Sequence, residues 1–341
     1  MNDAKPLLEI KDLTVQFSVY GGKLHVLDGV DFNMYPGEKV GLVGETGCGK
    51  TTTMKAILRV LPSPPAVIPR GSIHFDGQDL RRLKLDELIQ VRGRGISMIF
   101  QDPTAALNPV FTIGEQFENV IKYSIPPGES LSRKEIHQQA VSALQEVALA
   151  DPERLLRSYP IQLSGGMRQR VCIGMALATN PKLLIADEPG TSLDVTIQDQ
   201  VLRLLRKLVE DHNTSVILIT HTLGIVRETT NRVYVMYAGT MVETATTEKL
   251  FSQPLHPYTK GLISSVPRLT GGGISSGIPG RIPDYRNPPS GCRFHLRCPH
   301  VMDICRNNKP LNCQIDSDHG VACFLYREDS VTNDEKVTRQ L

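Results

Sequence analysis

Residues 39–61 read KVGLVGETGCGKTTTMKAILRVL. Within them Gly44, Gly49, Lys50 and Thr51 make the pattern G-x4-G-K-T, with a short apolar run before and a helix-forming run after. That order, strand then glycine loop then helix, is the context a phosphate-binding loop requires. Glycines let successive backbone N–H groups turn inward around an anion, and the start of the following helix adds its positive dipole end. Residues Gly44, Glu45, Thr46, Gly47, Cys48, Gly49, Lys50, Thr51 and Thr52 are therefore the candidate phosphate ligands. Lys50 reaches for the β- and γ-phosphates and the Thr51 hydroxyl for Mg²⁺. Cys48 reads as a small tolerated residue inside the loop, not as a nucleophile.

Outward from the loop the chain alternates strands and helices. Residues 7–17 (LLEIKDLTVQF) read as an edge strand, 24–34 as a second strand, and Lys39–Val43 as a buried strand entering the loop. Residues 51–61 form the helix behind it, 71–80 a strand pair and 96–100 (ISMIF) another strand. From about 105 to 180 the pattern turns helical, with Pro/Gly-rich loops such as IPPGES, which reads as an inserted helical subdomain. Lys182–Ala186 and Ser215–Thr220 are parallel-type strands with a helix over 196–212 between them, and strands at 232–243 finish the core. Alternating strand–helix units predict an α/β fold, a parallel sheet covered on both faces.

Four further segments carry chemistry. LLIADEP (183–189) is an apolar strand ending in two acids. Asp187 is placed to hold Mg²⁺ through water and Glu188 to polarise an attacking water as general base. LSGGMRQR (163–170) sets Ser164, Gly165 and Gly166 at a helix start, a second small anion nest. One chain cannot easily bring two such nests to one γ-phosphate, so the design is a dimer in which the nest meets nucleotide held by the facing subunit. His221 follows an apolar strand and reads as a γ-phosphate sensor. Gln101 ends ISMIFQ and by itself says little.

As a set, these residues resemble the nucleotide-binding subunits of ABC transporters over about residues 7–267. GETGCGKT resembles Walker A, LLIADE Walker B with its catalytic glutamate, and LSGGM the signature, with Met167 where Gln is usual. Gln101 matches the Q-loop, Ser192-Leu193-Asp194 the D-loop and His221 the switch histidine. The resemblance implies a P-loop NTPase of the ABC type, with a RecA-like core plus helical subdomain. It makes Glu188, His221 and Gln101 catalytic, Gln101 also a Mg²⁺ contact, and Asp194 a nucleotide-site residue. Phe17 stands about where the family stacks an aromatic on adenine, with Tyr20 the alternative. FQDPTAALNP, HPYTKGLISSVP and GCRFHLRCPHVMDIC narrow the resemblance to the oligopeptide/dipeptide importer branch. That branch implies ATP and Mg²⁺, two transmembrane permease subunits, a second related or identical ATPase facing head to tail, and an extracytoplasmic substrate-binding protein. The place of work is the cytoplasmic face of the cell membrane, as a peripheral subunit. Some relatives import nickel or other small solutes, and a soluble non-transport ABC ATPase is the remaining class.

Bulk composition agrees. The chain has 341 residues, 40% hydrophobic and 22% charged, with a net charge of +2, no Trp and 5% aromatics. This is globular composition without a basic stripe or stacking surface for nucleic acid. No run reaches the roughly 18–20 apolar residues that span a bilayer, and the N-terminus lacks a signal-peptide pattern. Residues 268–290 read as a Gly/Ser/Pro linker, 291–327 as a small Cys-rich C-terminal extension and 328–341 as a polar tail. Five of the seven cysteines fall in that extension: Cys292, Cys298, Cys305, Cys313 and Cys323. Clustered thiols in a reducing compartment suggest metal ligation, with structural zinc or disulfides as the other readings. The family resemblance implies a [4Fe–4S] cluster on Cys292, Cys298, Cys305 and Cys323, leaving Cys313 spare.

Overall fold

The computed structural model describes residues 5–191, 193–265 and 277–327. Ser192, the first part of the expected linker and the tail from 328 lie outside the described residues. The strands are β1 Leu8–Val19, β2 Gly22–Met34, β3 Lys39–Val43, β4 Ala66–Phe75, β5 Gln78–Asp79, β6 Ile96–Ile99, β7 Leu183–Asp187, β8 Ser215–Ile219, β9 Arg232–Tyr237, β10 Thr240–Thr246, β11 Cys313–Asp316 and β12 His319–Val321. The helices are α1 Lys50–Ile57, α2 Leu85–Gln90, α3 Pro103–Ala106, α4 Ile113–Ser124, α5 Arg133–Glu146, α6 Pro152–Leu156, α7 Gly165–Leu177, α8 Val195–Asp211, α9 Leu223–Thr229, α10 Thr247–Ser252, α11 Pro257–Ser264 and α12 Asp303–Asn307.

The core sheet runs β11-β12-β10-β9-β3-β8-β7-β6. Its central strands β9, β3, β8, β7 and β6 are parallel, while β10 and β12 join antiparallel. Side-chain alternation decides which face each residue serves. Leu183, Ile185, Ile217 and Ile219 face the core under the second sheet, while Leu184, Ala186, Val216 and Leu218 face the core under the helices. Both faces are buried, which explains why β7 and β8 read as continuous apolar runs.

The second sheet is antiparallel, in the order β2-β1-β4-β5. β1 is thus an inner strand, not the edge strand its alternation suggests; residues 22–34 and 66–75 supply a partner on each side. Its buried Leu8, Ile10, Leu13 and Val15 close over Met54, Ala56 and Ile57 of α1, so the helix behind the glycine loop is held between the two sheets. The helical subdomain packs Phe117, Ile121, Leu144, Val171 and Ile173 into one core continuous with the helix-covered face of β7 and β8. Its helices start on local signals: Thr112 with Glu115 and Ser132 with Glu135 form capping boxes.

The Cys-rich extension is built onto this core rather than strung behind it. β12 pairs with β10, carrying β11 as a new sheet edge. Glu243 of β10 is buried, and its carboxylate accepts the N–H groups of Leu255 and His256 at 2.8 Å each. The same carboxylate accepts from His319 Nε2 of β12 at 2.8 Å. His256 then caps α11, its Nδ1 accepting the Tyr258 N–H at 3.0 Å. That bond needs an unprotonated Nδ1.

His256 is only 1% exposed, and burial lowers its pKa from 6.5 to about 3. Below about pH 6.5 the unfolded chain therefore takes up a proton that the folded chain refuses, so this contribution to stability is full above 6.5 and drains away toward 3. The thermal midpoint is expected to fall between about pH 7 and pH 5, and His256→Asn, which keeps a capping oxygen, is expected to flatten that slope. Calorimetry across this range checks it; equal slopes for both proteins would exclude His256 as a source of the pH dependence.

Candidate functional site

The glycine loop leaves β3 and enters α1 through backbone that side chains resist. Gly44, Gly47 and Gly49 take φ values of 153°, 81° and 111°. A Cβ on Gly44 would stand 2.2 Å from the Met236 carbonyl oxygen, and one on Gly49 2.7 Å from Leu27. The loop thus needs glycine for both conformation and space. It lines a cavity of about 570 Å³ together with Thr46, Gly47, Thr51, Thr52, Gln101, Glu188, Thr191 and His221. Lys50 is buried, and its ammonium donates to the Gly44 and Glu45 carbonyls at 2.7 and 3.0 Å. Cys48 is fully buried, and burial raises its thiol pKa, which leaves it an inert packing residue.

Two oxygen ligands for a hard cation meet at the end of β7. The Thr51 hydroxyl donates to Asp187 Oδ2 at 2.8 Å. Burial pushes the Asp187 carboxyl above the ordinary range; the Thr51 hydrogen bond opposes that shift and the neighbouring Glu188 adds to it. The donor set, one hydroxyl and one carboxylate beside a phosphate loop, fits Mg²⁺.

Glu188 has a φ of +47°, a conformation that costs a non-glycine residue energy and concentrates at functional sites. Its backbone N–H is held by the Ile219 carbonyl of β8 at 2.8 Å. Its carboxylate accepts from Gln101 Nε2 and from the Thr191 hydroxyl, both at 3.0 Å, and His221 Nδ1 stands 3.4 Å away. The ends of β6, β7 and β8 therefore converge on one carboxylate.

The structure brings together Gly44–Thr52, Gln101, Asp187, Glu188 and His221. Ser164, Gly165, Gly166 and Asp194 do not line the cavity. Ser164 caps α7 and Asp194 caps α8, and a Cβ on Gly166 would stand 3.0 Å from Ile197, so these two helix starts lie side by side on another surface. Met167 packs on the helical core. Phe17 is half-buried against the core between the sheets and does not line the cavity; Tyr20 is fully exposed at the β1–β2 turn.

Sequence reasoning missed several contributors. Leu262 of α11 lines the cavity. Tyr258 accepts the Glu45 N–H at 2.8 Å, the Arg297 guanidinium makes two bonds to the Glu45 carboxylate at 2.9 and 3.1 Å, and the Tyr285 hydroxyl donates to the Gly47 carbonyl at 2.8 Å. No motif spacing signals contacts across more than two hundred residues.

Of the cysteines, Cys305 is buried and its carbonyl accepts the Cys292 N–H at 2.8 Å. Burial pushes the Cys292 thiol up to about 11 and the Cys323 thiol up to about 12, and the nearby sulfurs add to both shifts. Cys292, Cys298, Cys305 and Cys323 are thus neighbours, while Cys313 points to the Leu311 carbonyl at 3.8 Å. Even so, among the described residues no three His, Cys, Asp or Glu side chains stand at metal-ligating spacing.

Comparison with known proteins follows this geometry. Residues 27–191 match the family described as ABC transporter, and residues 242–305 match Oligopeptide/dipeptide transporter, C-terminal region. The chain is 47% identical to the oligopeptide transport ATP-binding protein AppD of Bacillus subtilis, over 95% of this chain and 98% of that protein. It is 45% identical to the dipeptide transport ATP-binding protein DppD of the same organism, over 94% of each. Among solved structures it resembles the dimeric post-hydrolysis state of the ATP-binding cassette MJ0796 bound to ADP and Pi, with a TM-score of 0.62 and 28% identity, covering 70% of this chain and 98% of that one. The loop, the acidic strand end and these likenesses together make the chain an ABC-type ATPase, a member of the oligopeptide/dipeptide transporter ATP-binding family.

Proposed function

We propose that this chain powers the import of oligopeptides or dipeptides through two transmembrane permease subunits, working as a peripheral subunit on the cytoplasmic face of the membrane. The observation that carries the reading is the convergence of Gln101, Thr191 and His221 on the Glu188 carboxylate beside the Thr51–Asp187 pair. The peptide cargo is supported by the C-terminal match over 242–305 and by the names of the relatives. Among the described residues no helix is long and apolar enough to cross a membrane, which agrees with a subunit that reaches the bilayer through partners. An extracytoplasmic binding protein delivers the peptide. Residues 1–267 act as the ATPase, 268–290 as the linker and 291–327 as the extension.

Each residue's part follows from its chemistry. The loop N–H groups and Lys50 hold the phosphates, and Gln101 fixes the carboxylate's orientation. Thr51 and Asp187 hold Mg²⁺, which when bound neutralises charge on the phosphates. Glu188 accepts the proton of the attacking water, and His221 donates to the oxygen on which charge accumulates. Ser164, Gly165, Gly166 and Asp194 serve the nucleotide of a facing ATPase, identical or related; their distance from this chain's own cavity supports that reading. The similar MJ0796 cassette is itself dimeric with ADP and Pi bound.

Glu188→Gln removes the proton acceptor while keeping shape. It is expected to lower hydrolysis by about 10²-fold or more with MgATP binding retained; phosphate release beside calorimetric binding measures both, and near-normal turnover excludes Glu188 as the base. Reconstituted with its permeases, the chain is expected to drive ATP-dependent uptake of labelled peptide. Uptake of nickel but not peptide reassigns the cargo, and ATPase activity indifferent to any permease removes the transport reading. The thiols of Cys292, Cys298, Cys305 and Cys323 are proposed to hold a [4Fe–4S] cluster as a structural staple, on the strength of their sequence spacing and mutual proximity. Anaerobically purified protein is expected to contain iron and sulfide; a colourless protein with one zinc overturns the assignment.

A further inference from the structure

The end of the linker and the C-terminal extension both touch the phosphate loop itself. Residues 278–297 lie outside the ABC transporter match over 27–191 and inside the match to the oligopeptide/dipeptide transporter C-terminal region over 242–305. Yet the Arg297 side chain is only 5% exposed and spends its guanidinium on the loop and its surroundings. Two N–H groups grip the Glu45 carboxylate at 2.9 and 3.1 Å. Others reach the Pro279 carbonyl at 2.8 Å, the Ile278 carbonyl at 3.0 Å and the Tyr237 hydroxyl at 3.3 Å. Tyr285 donates its hydroxyl to the Gly47 carbonyl at 2.8 Å, and its own carbonyl accepts the His25 N–H at 2.8 Å. One step removed, the buried Arg293 holds the Ala238 and His25 carbonyls, and the adjacent Gly239 N–H donates to the Cys48 carbonyl at 2.7 Å.

These contacts fix peptide planes. In a trans peptide the carbonyl and the next N–H point in opposite directions. Tethering the Gly47 oxygen to Tyr285 on the outside therefore aims the Cys48 N–H back across the loop, where it donates to the Glu45 carbonyl at 3.2 Å and closes the Glu45–Cys48 turn. Gly47 has a φ of +81° and no side chain to resist rotation. Without the tether that peptide unit is free to turn, the Glu45–Cys48 turn loosens and the loop loses its preset conformation, which weakens anion binding without touching the reacting atoms.

We propose that Tyr285 and Arg297 are positioning residues for nucleotide binding: through Gly47 and Glu45 the end of the linker and the start of the C-terminal extension lock the phosphate loop in its anion-ready form, and so set this chain's affinity for MgATP. The proposal rests on the reading of 44–52 as the ATP site.

The test uses the full chain and MgATP, with affinity from calorimetry, rate from phosphate release at saturating ATP and stability from thermal melting. Tyr285→Phe deletes one hydroxyl. It is expected to raise Kd roughly three- to tenfold, the worth of one hydrogen bond, with a saturating rate within about twofold and an unchanged melting midpoint. Arg297→Lys keeps the charge but not the two-point grip and is expected to weaken binding about tenfold. Tyr326→Phe is the control: its hydroxyl donates to the Leu255 carbonyl at 2.9 Å, within the same extension but away from the loop. It is expected to leave Kd unchanged. Unaltered Kd in Tyr285→Phe overturns the proposal, as does an equal rise in Tyr326→Phe, which would reveal a merely structural effect. Lys50→Ala separates the failures: if it too leaves binding intact, the ATP-site reading falls; if it abolishes binding while Tyr285→Phe does nothing, only the tether falls.

Discussion

The phosphate loop must hold backbone N–H groups converged on one point, and the residues that permit this conformation are the ones least able to maintain it. Gly44, Gly47 and Gly49 sit at positive φ, where glycine is cheap and most other residues are strained. Rigidity has to come from outside the loop. β3 supplies it at one end through parallel pairing with β8 and β9, and α1, buried between the two sheets, supplies it at the other. Between those ends the Tyr258 hydroxyl takes the Glu45 N–H and the Gly239 N–H takes the Cys48 carbonyl. The strand order of the core sheet is, in this sense, a requirement of the loop: β9 must lie next to β3 for its hairpin with β10 to reach Cys48.

The same sheet delivers the acidic pair. β7 lies next to β8 but not next to β3, so Asp187 meets Thr51 from one strand away, across the top of β8. Glu188 is the first residue past the strand and bends back at φ +47°, anchored by the Ile219 carbonyl. Its three side-chain neighbours belong to three different connections: Gln101 opens the helical subdomain, Thr191 leads toward α8 and His221 leads into α9. A shift in any of these connections alters the hydrogen bonding of one carboxylate. A strained residue whose partners come from three separate connections responds to each of them, which a fully packed catalytic base would not do.

The strand–loop–helix of 39–57 and the apolar strands β6, β7 and β8 were legible in the sequence because each depends on local pattern. Period-two burial on both faces makes a continuous apolar run, and a glycine loop between strand and helix has few alternatives. The gathering of Gln101, Asp187, Glu188 and His221 was legible only as a family pattern, since nothing local says that three strand ends meet. The position of β1 was misjudged because alternation reports one solvated face but not the number of strand partners. The sequence shows the extension only as a separate unit because β12 is three residues long, and its link to the core is side-chain chemistry: Glu243 with His319 across 76 residues, Glu45 with Arg297 across 252. Neither pair is marked by spacing, hydropathy or charge run.

That non-local wiring also explains why so short a segment can be ordered at all. Residues 291–327 contain few large apolar side chains, too few to close a core of their own. Phe294 is buried, but among Tyr237, Tyr258 and His256 of the ATPase rather than among its own neighbours. Arg293 and Arg297 spend their donors on carbonyls and carboxylates of the same body, a use that bidentate, always-charged guanidinium suits better than lysine. Where these contacts form, the segment becomes part of the sheet and the loop gains a brace. Where they do not, there is no independent fold for the segment to fall back on. Its order therefore depends on the ATPase, and where it is ordered it adds a brace to a loop already held at both ends by β3 and α1.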